Sequence, residues 1–147
     1  MLPTAREQAL HEFKGKMKGN GMWFWIILVL LAGLVAFVQL APSDPARWHQ
    51  DVTADQDKDF AGGAVRVVDV DFAALDAAIR SSGAKVLAGS VAQGHITYIS
   101  RTRIAGFPDY VTVQRVDGKL RIFSRLRFGK SDLGVNKRRV EGWLAQF

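Results

Sequence analysis

The feature that most constrains this chain is a long run of residues without charge near its amino terminus. No charged residue occurs between Gly19 and Ser43, and Met22–Ala41 is almost entirely apolar. A helix of about 20 residues covers the roughly 30 Å of hydrocarbon in a bilayer. Trp23 and Trp25 lie at one end of the run, where indole rings favour the membrane interface. We predict a transmembrane helix over residues 22–41.

A cleaved signal peptide is the alternative interpretation of this run. The hydrophobic region of a signal peptide is normally shorter, and it ends in small residues at the cleavage site. Here Gln39 and Leu40 precede Ala41, and Pro42 follows it. The sequence therefore favours a retained anchor.

The charges on either side of the run predict its orientation. The preceding segment carries four cations: Arg6, Lys14, Lys16 and Lys18. Beyond the run, Arg47 is the only Lys or Arg before Lys58. The positive-inside rule makes residues 1–21 a basic cytoplasmic segment and places everything after Pro42 across the membrane. In a bacterium this means an inner-membrane protein with a periplasmic domain, a location that argues against nucleic acid as the partner despite a net charge of +6.

The remaining sequence predicts one small folded domain. Residues 42–63 are rich in Asp, Pro and Gly and are predicted to be a linker, which leaves residues 64–147 for one modest core. Periodicity predicts strands at Val65–Val70, Lys85–Ala92, His95–Ile104, Tyr110–Val116 and residues 119–128. Helices are predicted from the Asp71 cap to Ser82 and after a cap at Ser131 or Asp132. The order β-α-β-β-β-β-α predicts an α+β fold, with a mainly antiparallel sheet and helices on one face.

Asp117-Gly118 is a strong signal for a two-residue hairpin turn, and it predicts the strand register. Val116 should pair with Lys119, and Tyr110 with Arg125. Extending the register through the next loop sets Arg103 opposite Tyr110 and Arg101 opposite Thr112. Six side chains would then share the sheet face away from the core: Arg101, Arg103, Tyr110, Arg121, Arg125 and Arg127.

Several like charges on neighbouring strands oppose pairing by some tenths of a kcal/mol per pair, which suggests an anion among them. The planar fork of arginine binds carboxylate or phosphate in a bidentate way. We therefore predict a binding module whose anion site comprises Arg101, Arg103, Tyr110, Arg125 and Arg127. Its partner would be an anionic lipid headgroup or an acidic protein surface. The alternative is a solvated cationic face near the bilayer, with Asp109 and Asp132 as internal partners.

Catalysis is the less favoured interpretation. Asp109 or Asp132 could act as a general acid or base of a hydrolase, but no neighbouring His, paired carboxylate or metal-ligand cluster accompanies either one. His49 is predicted to be a surface residue of the linker, and His95 to pack at a strand edge. The sequence thus predicts no catalytic residue, no metal site and no cofactor.

The second helix places Asn136 within an apolar stripe with Leu133, Val140 and Trp143. A buried amide must be hydrogen-bonded, and we expect the backbone of the preceding turn to satisfy it; ligand contact is the alternative. A further interpretation makes the protein an accessory subunit of a larger inner-membrane complex, since Ala32, Gly33 and Ala36 offer small surfaces for helix contact.

Two motifs, RTRIAGFPDYVTV (Arg101–Val113) and SRLRFGKSDLGVNKRRV (Ser124–Val140), resemble those of the family called "domain of unknown function 1499". The matching positions are Arg101, Arg103, Gly106, Phe107, Asp109, Ser124, Arg125, Gly129, Ser131, Asp132, Gly134, Asn136, Lys137 and Arg139. The chain lacks the cysteine-containing amino-terminal segment of many members, and Leu126-Arg127 makes its second strand more basic. The resemblance implies a compact, often exported domain and no established activity.

Overall fold

The computed structural model describes residues 5–102 and 106–147. These form two compact units, one ending at Leu40 and one beginning at Ala41. Their elements in chain order are α1 (Ala5–Leu40), α2 (Pro45–Trp48), β1 (Lys58–Phe60), β2 (Gly63–Val68), α3 (Phe72–Ser81), β3 (Lys85–Ser90), β4 (His95–Arg101), β5 (Pro108–Val116), β6 (Lys119–Leu126) and α4 (Val135–Leu144).

The first unit is the helix α1. Its stretch Gly21–Leu40 is long and apolar enough to cross a membrane, by length and composition. Apart from Val38, the large apolar side chains of this stretch are exposed, so no protein core accounts for them. The helix runs without interruption through Gly19-Asn20-Gly21. A glycine costs about 1 kcal/mol inside a helix and does not by itself terminate one.

The second unit is an α+β domain built on a six-stranded antiparallel sheet in the order β1-β2-β6-β5-β4-β3. The predicted hairpin is confirmed: Val116 pairs with Lys119 and Tyr110 pairs with Arg125. Asp117 and Gly118 both have positive φ, 51° and 80°, as a type I′ turn requires. This turn fixes which side chains of β5 and β6 face each side of the sheet.

The predicted register between β4 and β5 is wrong. Arg101 pairs with Pro108, and Thr97, not Arg101, pairs with Thr112. Thr102 closes a longer loop than the sequence suggests, because its N–H donates to the Phe107 carbonyl at 3.0 Å and its hydroxyl accepts from Phe107 N–H at 3.0 Å. The actual partner, Pro108, is an even number of residues from the predicted partner, Thr112. Arg101 therefore still lies on the predicted face of the sheet. Arg103 and Ile104 lie outside the described residues.

The core lies between one face of the sheet and the helices α3 and α4. Asp71 caps α3 as predicted, and its carboxylate accepts from Ala74 N–H at 2.8 Å. Leu75 and Ile79 of α3, with Val140 and Trp143 of α4, pack on the sheet. Their buried partners on the strands include Ile96, Tyr98, Val111, Val113, Leu120 and Ile122.

Residues 42–63, predicted to be a linker, are part of the domain. Pro45 occupies the first turn of α2, and the Asp44 carboxylate accepts from Ala46 N–H at 2.9 Å, a combination typical of a helix start. The strand β1 pairs with β2, and the Asp57 carboxylate accepts from Val67 N–H at 2.8 Å. The Asp and Pro residues of this stretch therefore start a helix and accept backbone hydrogen bonds, and they do not indicate a free linker.

Gly89 supplies a test of how tightly the chain packs where β3 pairs with β4 and His49 lies close by. A Cβ there would lie 1.9 Å from the His95 carbonyl oxygen and 2.9 Å from His49 Cε1, at φ +84°. We expect Gly89→Ala to lower the free energy of unfolding by about 2–5 kcal/mol, combining left-handed strain with overpacking. Urea unfolding of the full-length protein in detergent micelles measures this loss.

Gly83→Ala is the matched control, since Gly83 has φ +89° and nothing within 4 Å of its Cβ position. It should cost about 1–2 kcal/mol from strain alone. Equal losses for the two variants would contradict the close packing at Gly89.

Candidate functional site

The sheet face opposite α3 and α4 is covered by residues 41–54, which we call the covering segment. The Trp48 ring stacks on Tyr110, with centroids 3.9 Å apart and planes at 15°. Tyr110 is fully buried, and its hydroxyl lies 2.7 Å from Ser43 Oγ. Arg121 Nη1 donates to the Val52 carbonyl at 3.2 Å. The predicted arginine face is thus an internal surface of the domain.

Arg125 and Arg127 bind the covering segment through its backbone. Arg127 Nη1 donates to the Ala41 carbonyl at 3.0 Å and to Tyr110 Oη at 2.9 Å, and Nη2 donates to the Pro42 carbonyl at 2.9 Å. Arg125 Nη2 donates to the Trp48 carbonyl at 2.5 Å. Its guanidinium carbon lies 4.5 Å from the Phe123 ring centroid. Burial lowers the pKa of Arg125 to about 10, although Tyr110 acts in the opposite direction.

Arg101 is separated from this cluster. It ends β4, is exposed, and donates from Nη1 to the Gly106 carbonyl at 2.8 Å. Of the predicted anion-site residues, Tyr110, Arg125 and Arg127 contact the covering segment, and Arg101 lines a cleft. Arg103 lies outside the described residues.

Arg101 borders a cleft of about 850 Å³ between the β4–β5 loop, the end of β6 and the start of α4. The cleft has a polar side and an apolar side. Its polar lining comprises Ser82, Ser100, Arg101, Thr102, Asp109, Ser131, Asp132, Arg138 and Arg139, and its apolar lining comprises Phe107, Leu126, Phe128, Leu133 and Val135. Most residues of the two family-like motifs that were predicted to be structural therefore surround one cavity.

A buried ion pair lies at the base of this cleft. Arg139 Nη1 and Nη2 each approach Asp109 Oδ2 at 3.2 Å, and the side chains of Arg139 and Asp109 are only 12% and 6% exposed. Burial raises the pKa of Asp109, while the Arg139 charge opposes this shift. The sequence made Asp109 a candidate partner of the cationic sheet face, whereas its carboxylate faces α4: side chains alternate along the strand, and Val111, two residues on, faces the helices.

Asn136 completes the network. It is fully buried, and its Oδ1 accepts from Ser124 Oγ at 2.6 Å and from Arg139 Nη1 at 2.5 Å. Side chains, not the preceding turn's backbone, therefore satisfy this oxygen. Asn136 Nδ2 has no hydrogen-bond partner within reach among the described residues.

The turn before α4 explains three more motif positions. The Asp132 carboxylate accepts from Gly134 N–H at 2.9 Å and Asn136 N–H at 2.8 Å, so Asp132 provides the predicted cap and does not bind Arg125 or Arg127. Ser131 Oγ accepts from Leu133 N–H at 3.3 Å. Gly134 has φ +77°, which favours glycine. Leu133, predicted on the buried stripe, precedes the helix at φ +53° and is 85% exposed.

Sequence reasoning missed the cleft residues Ser100, Phe107, Phe128 and Arg138. Phe107 follows a glycine and Phe128 precedes one, and both rings are partly exposed. An aromatic residue beside a loop glycine is the sequence signal that could have indicated them. Ser100 and Arg138 carry no such signal, because their proximity depends on the packing of α4 against the sheet. Among the described residues, no group of three His, Cys, Asp or Glu side chains could hold a metal ion.

A histidine of the covering segment, His49, stacks on His95 of β4, and sequence reasoning placed the two apart. The two ring centroids are 3.9 Å apart, and His49 Nδ1 lies 2.9 Å from Thr97 Oγ1. The prediction of His49 as a surface residue is wrong because its ring packs between the covering segment and the sheet. Burial and, secondarily, His95 lower the pKa of His49, whereas Asp51 acts to raise it.

The fold and the cleft define a small α+β domain, preceded by an apolar helix, in which a buried Asp–Arg–Asn network supports an open cavity. A family model described as "Protein of unknown function (DUF1499)" matches residues 38–147. The chain belongs to this family. No curated protein and no solved structure matches it.

The buried ion pair supplies a stability test. Arg139→Met leaves the Asp109 carboxylate buried without its partner, which should cost about 3–5 kcal/mol of unfolding free energy. The double variant Asp109→Asn/Arg139→Met should be the more stable of the two, since no charge stays buried. Urea unfolding measures both. Lys137→Met, which breaks an exposed pair with Asp59, is the control and should cost much less, because solvent screens an exposed ion pair. Equal costs for Arg139→Met and Lys137→Met would contradict the buried pair.

The lowered pKa of His49 predicts acid sensitivity. A histidine whose pKa is lower in the folded than in the unfolded chain contributes its full stability above about pH 6.5, and loses it as the pH falls through the folded-state pKa. His49→Gln should therefore flatten the fall in melting temperature below about pH 6.5, as followed by circular dichroism. Asp51→Asn should steepen that fall, because Asp51 raises the pKa of His49. Parallel curves for wild type and His49→Gln would refute this assignment.

Proposed function

We propose that the protein is a membrane-anchored binding module for an anionic ligand. In this proposal α1 crosses a bacterial inner membrane with its amino terminus in the cytoplasm, and the α+β domain lies in the periplasm. The length and composition of Gly21–Leu40 support the anchor, and the cations ahead of it support the orientation.

The cleft is better suited to a ligand than the arginine face. The guanidinium groups of Arg125 and Arg127 already donate to carbonyls of the covering segment, so an anion there would have to displace that segment. The cleft is open, and its volume of about 850 Å³ falls within the range typical of small-molecule sites. We therefore propose the cleft, and not the arginine face of the sheet, as the binding site.

One observation carries the proposal: an exposed guanidinium and exposed apolar side chains line the same cavity. Arg138 is exposed on α4, and Nη1 donates to the Leu133 carbonyl at 3.0 Å, which orients the group. Phe107 and Phe128 lie in the same lining and are about two-fifths exposed, at 40% and 37%. This combination suits an amphiphilic anion, with a phosphate or carboxylate on the arginine side and an apolar portion on the rings.

The two carboxylates at the cleft favour binding over hydrolysis. Asp109 forms the buried pair with Arg139, and Asp132 accepts two backbone N–H groups at the start of α4. Each carboxylate thus has a structural role that accounts for its position. A general acid or base must also be positioned to reach the proton that it transfers. Among the described residues, no histidine is hydrogen-bonded to either carboxylate.

The test uses the full-length protein in phosphatidylcholine nanodiscs, with isothermal titration of three probes: inorganic phosphate, hexanol and hexyl phosphate. Hexyl phosphate should bind more tightly than either fragment. Arg138→Ala should weaken its binding by about ten- to a hundredfold, as expected for loss of a charge-assisted hydrogen bond. Arg115→Ala, which removes an exposed arginine of β5 outside the cleft lining, is the control and should bind as wild type does. Equal binding by Arg138→Ala and wild type would exclude the cleft as the site.

A further inference from the structure

We infer that the rim of the cleft formed by Phe128, Lys130 and Leu133 is a docking surface for an anionic phospholipid bilayer. This inference rests on the proposed membrane anchor and names the partner of the same site. It follows from three features of the domain: its connection to the apolar run, the exposed side chains of the rim, and the charge around the cleft.

Covalent connection brings the rim close to the membrane boundary. Ala41 follows Leu40, the last residue of the apolar stretch, and Arg127 donates to the carbonyls of Ala41 and Pro42 at 3.0 and 2.9 Å. The polar interface of a bilayer is about 5–8 Å thick on each side of the hydrocarbon. If Leu40 ends the span, the Ala41 carbonyl and the Arg127 guanidinium that donates to it fall within this interface. Phe128 is the next residue in the chain.

The rim itself has the composition of an interfacial surface. Phe128 and Leu133 line the same cleft, and Leu133 is 85% exposed at φ +53°. A leucine held in the left-handed region and projecting into water stabilises nothing within the domain's own core. Apolar side chains of this kind enter the boundary between headgroups and acyl chains, with neighbouring cations among the phosphates. Lys130, exposed between them in sequence, is such a cation.

The charge around the rim favours an anionic lipid. Arg101 and Arg138 are exposed and line the cleft. The carboxylates there are engaged, Asp109 by Arg139 and Asp132 by backbone N–H groups. Basic residues near a bilayer add affinity for anionic headgroups within about a Debye length. In this inference the anionic ligand of the cleft is the headgroup phosphate of a lipid in the bilayer on which the rim docks.

The absence of cysteine from the chain makes a direct test possible. Leu133→Cys, labelled with an environment-sensitive fluorophore, is reconstituted as the full-length protein in nanodiscs of phosphatidylcholine with or without phosphatidylglycerol. We expect a blue-shifted emission and a several-fold lower quenching by acrylamide when phosphatidylglycerol is present. Lys130→Gln in the labelled protein should reverse part of this shielding. The control label at Ala92→Cys, exposed in the β3–β4 turn at the other end of the sheet, should stay quenched.

Each other outcome overturns the inference. A Leu133 label as quenched as the Ala92 label in both nanodiscs excludes docking. Shielding produced by inorganic phosphate without phosphatidylglycerol identifies a free anion as the ligand, and shielding that depends on protein concentration and not on lipid identifies a second copy of the chain. Co-elution of the protein with nanodiscs tests the anchor separately. If the protein co-elutes but the Leu133 label stays exposed, the proposed anchor is supported and the docking surface is excluded. If the protein does not co-elute, both are excluded.

Discussion

The rest of the domain depends on the register of the β5–β6 hairpin. The turn at Asp117-Gly118 pairs Tyr110 with Arg125 and Val111 with Ser124, and side chains alternate across the sheet from there. Asp109 therefore faces α4, where Arg139 and Asn136 meet it, while Tyr110 faces the covering segment, where Trp48 stacks on it. A slip of one residue would exchange these two sets of partners and leave a carboxylate without its arginine.

The covering segment shows how the domain accommodates several arginines on one sheet face. The repulsion between like charges on neighbouring strands predicted an anion among them. The structure supplies carbonyl oxygens of Ala41, Pro42 and Trp48 together with the ring of Phe123. A guanidinium presents five donors in a fixed plane, so two arginines can bind one irregular segment at several points without any bound ion. Charge repulsion between the strands is then reduced by groups belonging to the chain itself.

Local signals predicted the α+β fold, the hairpin register and the caps at Asp71 and Asp132, because each depends on residues close in sequence. Prediction failed where the deciding contact is distant. The β4–β5 loop depends on Thr102 closing onto Phe107, and the fold of residues 42–60 depends on strands that follow much later. Helical spacing put Leu133 on the buried stripe, but the Asp132 carboxylate starts α4 only after Gly134 and leaves Leu133 outside the helix. The cleft joins Ser100 to Arg138, and no pattern along the chain relates them.

The residues of the second motif, Ser124–Val140, have mainly structural roles in this domain. Asp132 caps α4, Gly134 adopts a left-handed conformation, Asn136 binds Ser124 and Arg139, and Arg139 binds Asp109. Removing any of these would disturb the others, since they form one continuous network. In the proposed binding module, selectivity for a ligand would then reside in side chains that the network positions but does not use. Arg138, Phe128 and Leu133 meet that condition, because they are exposed at the cleft while the buried network beneath them holds the start of α4 against the sheet.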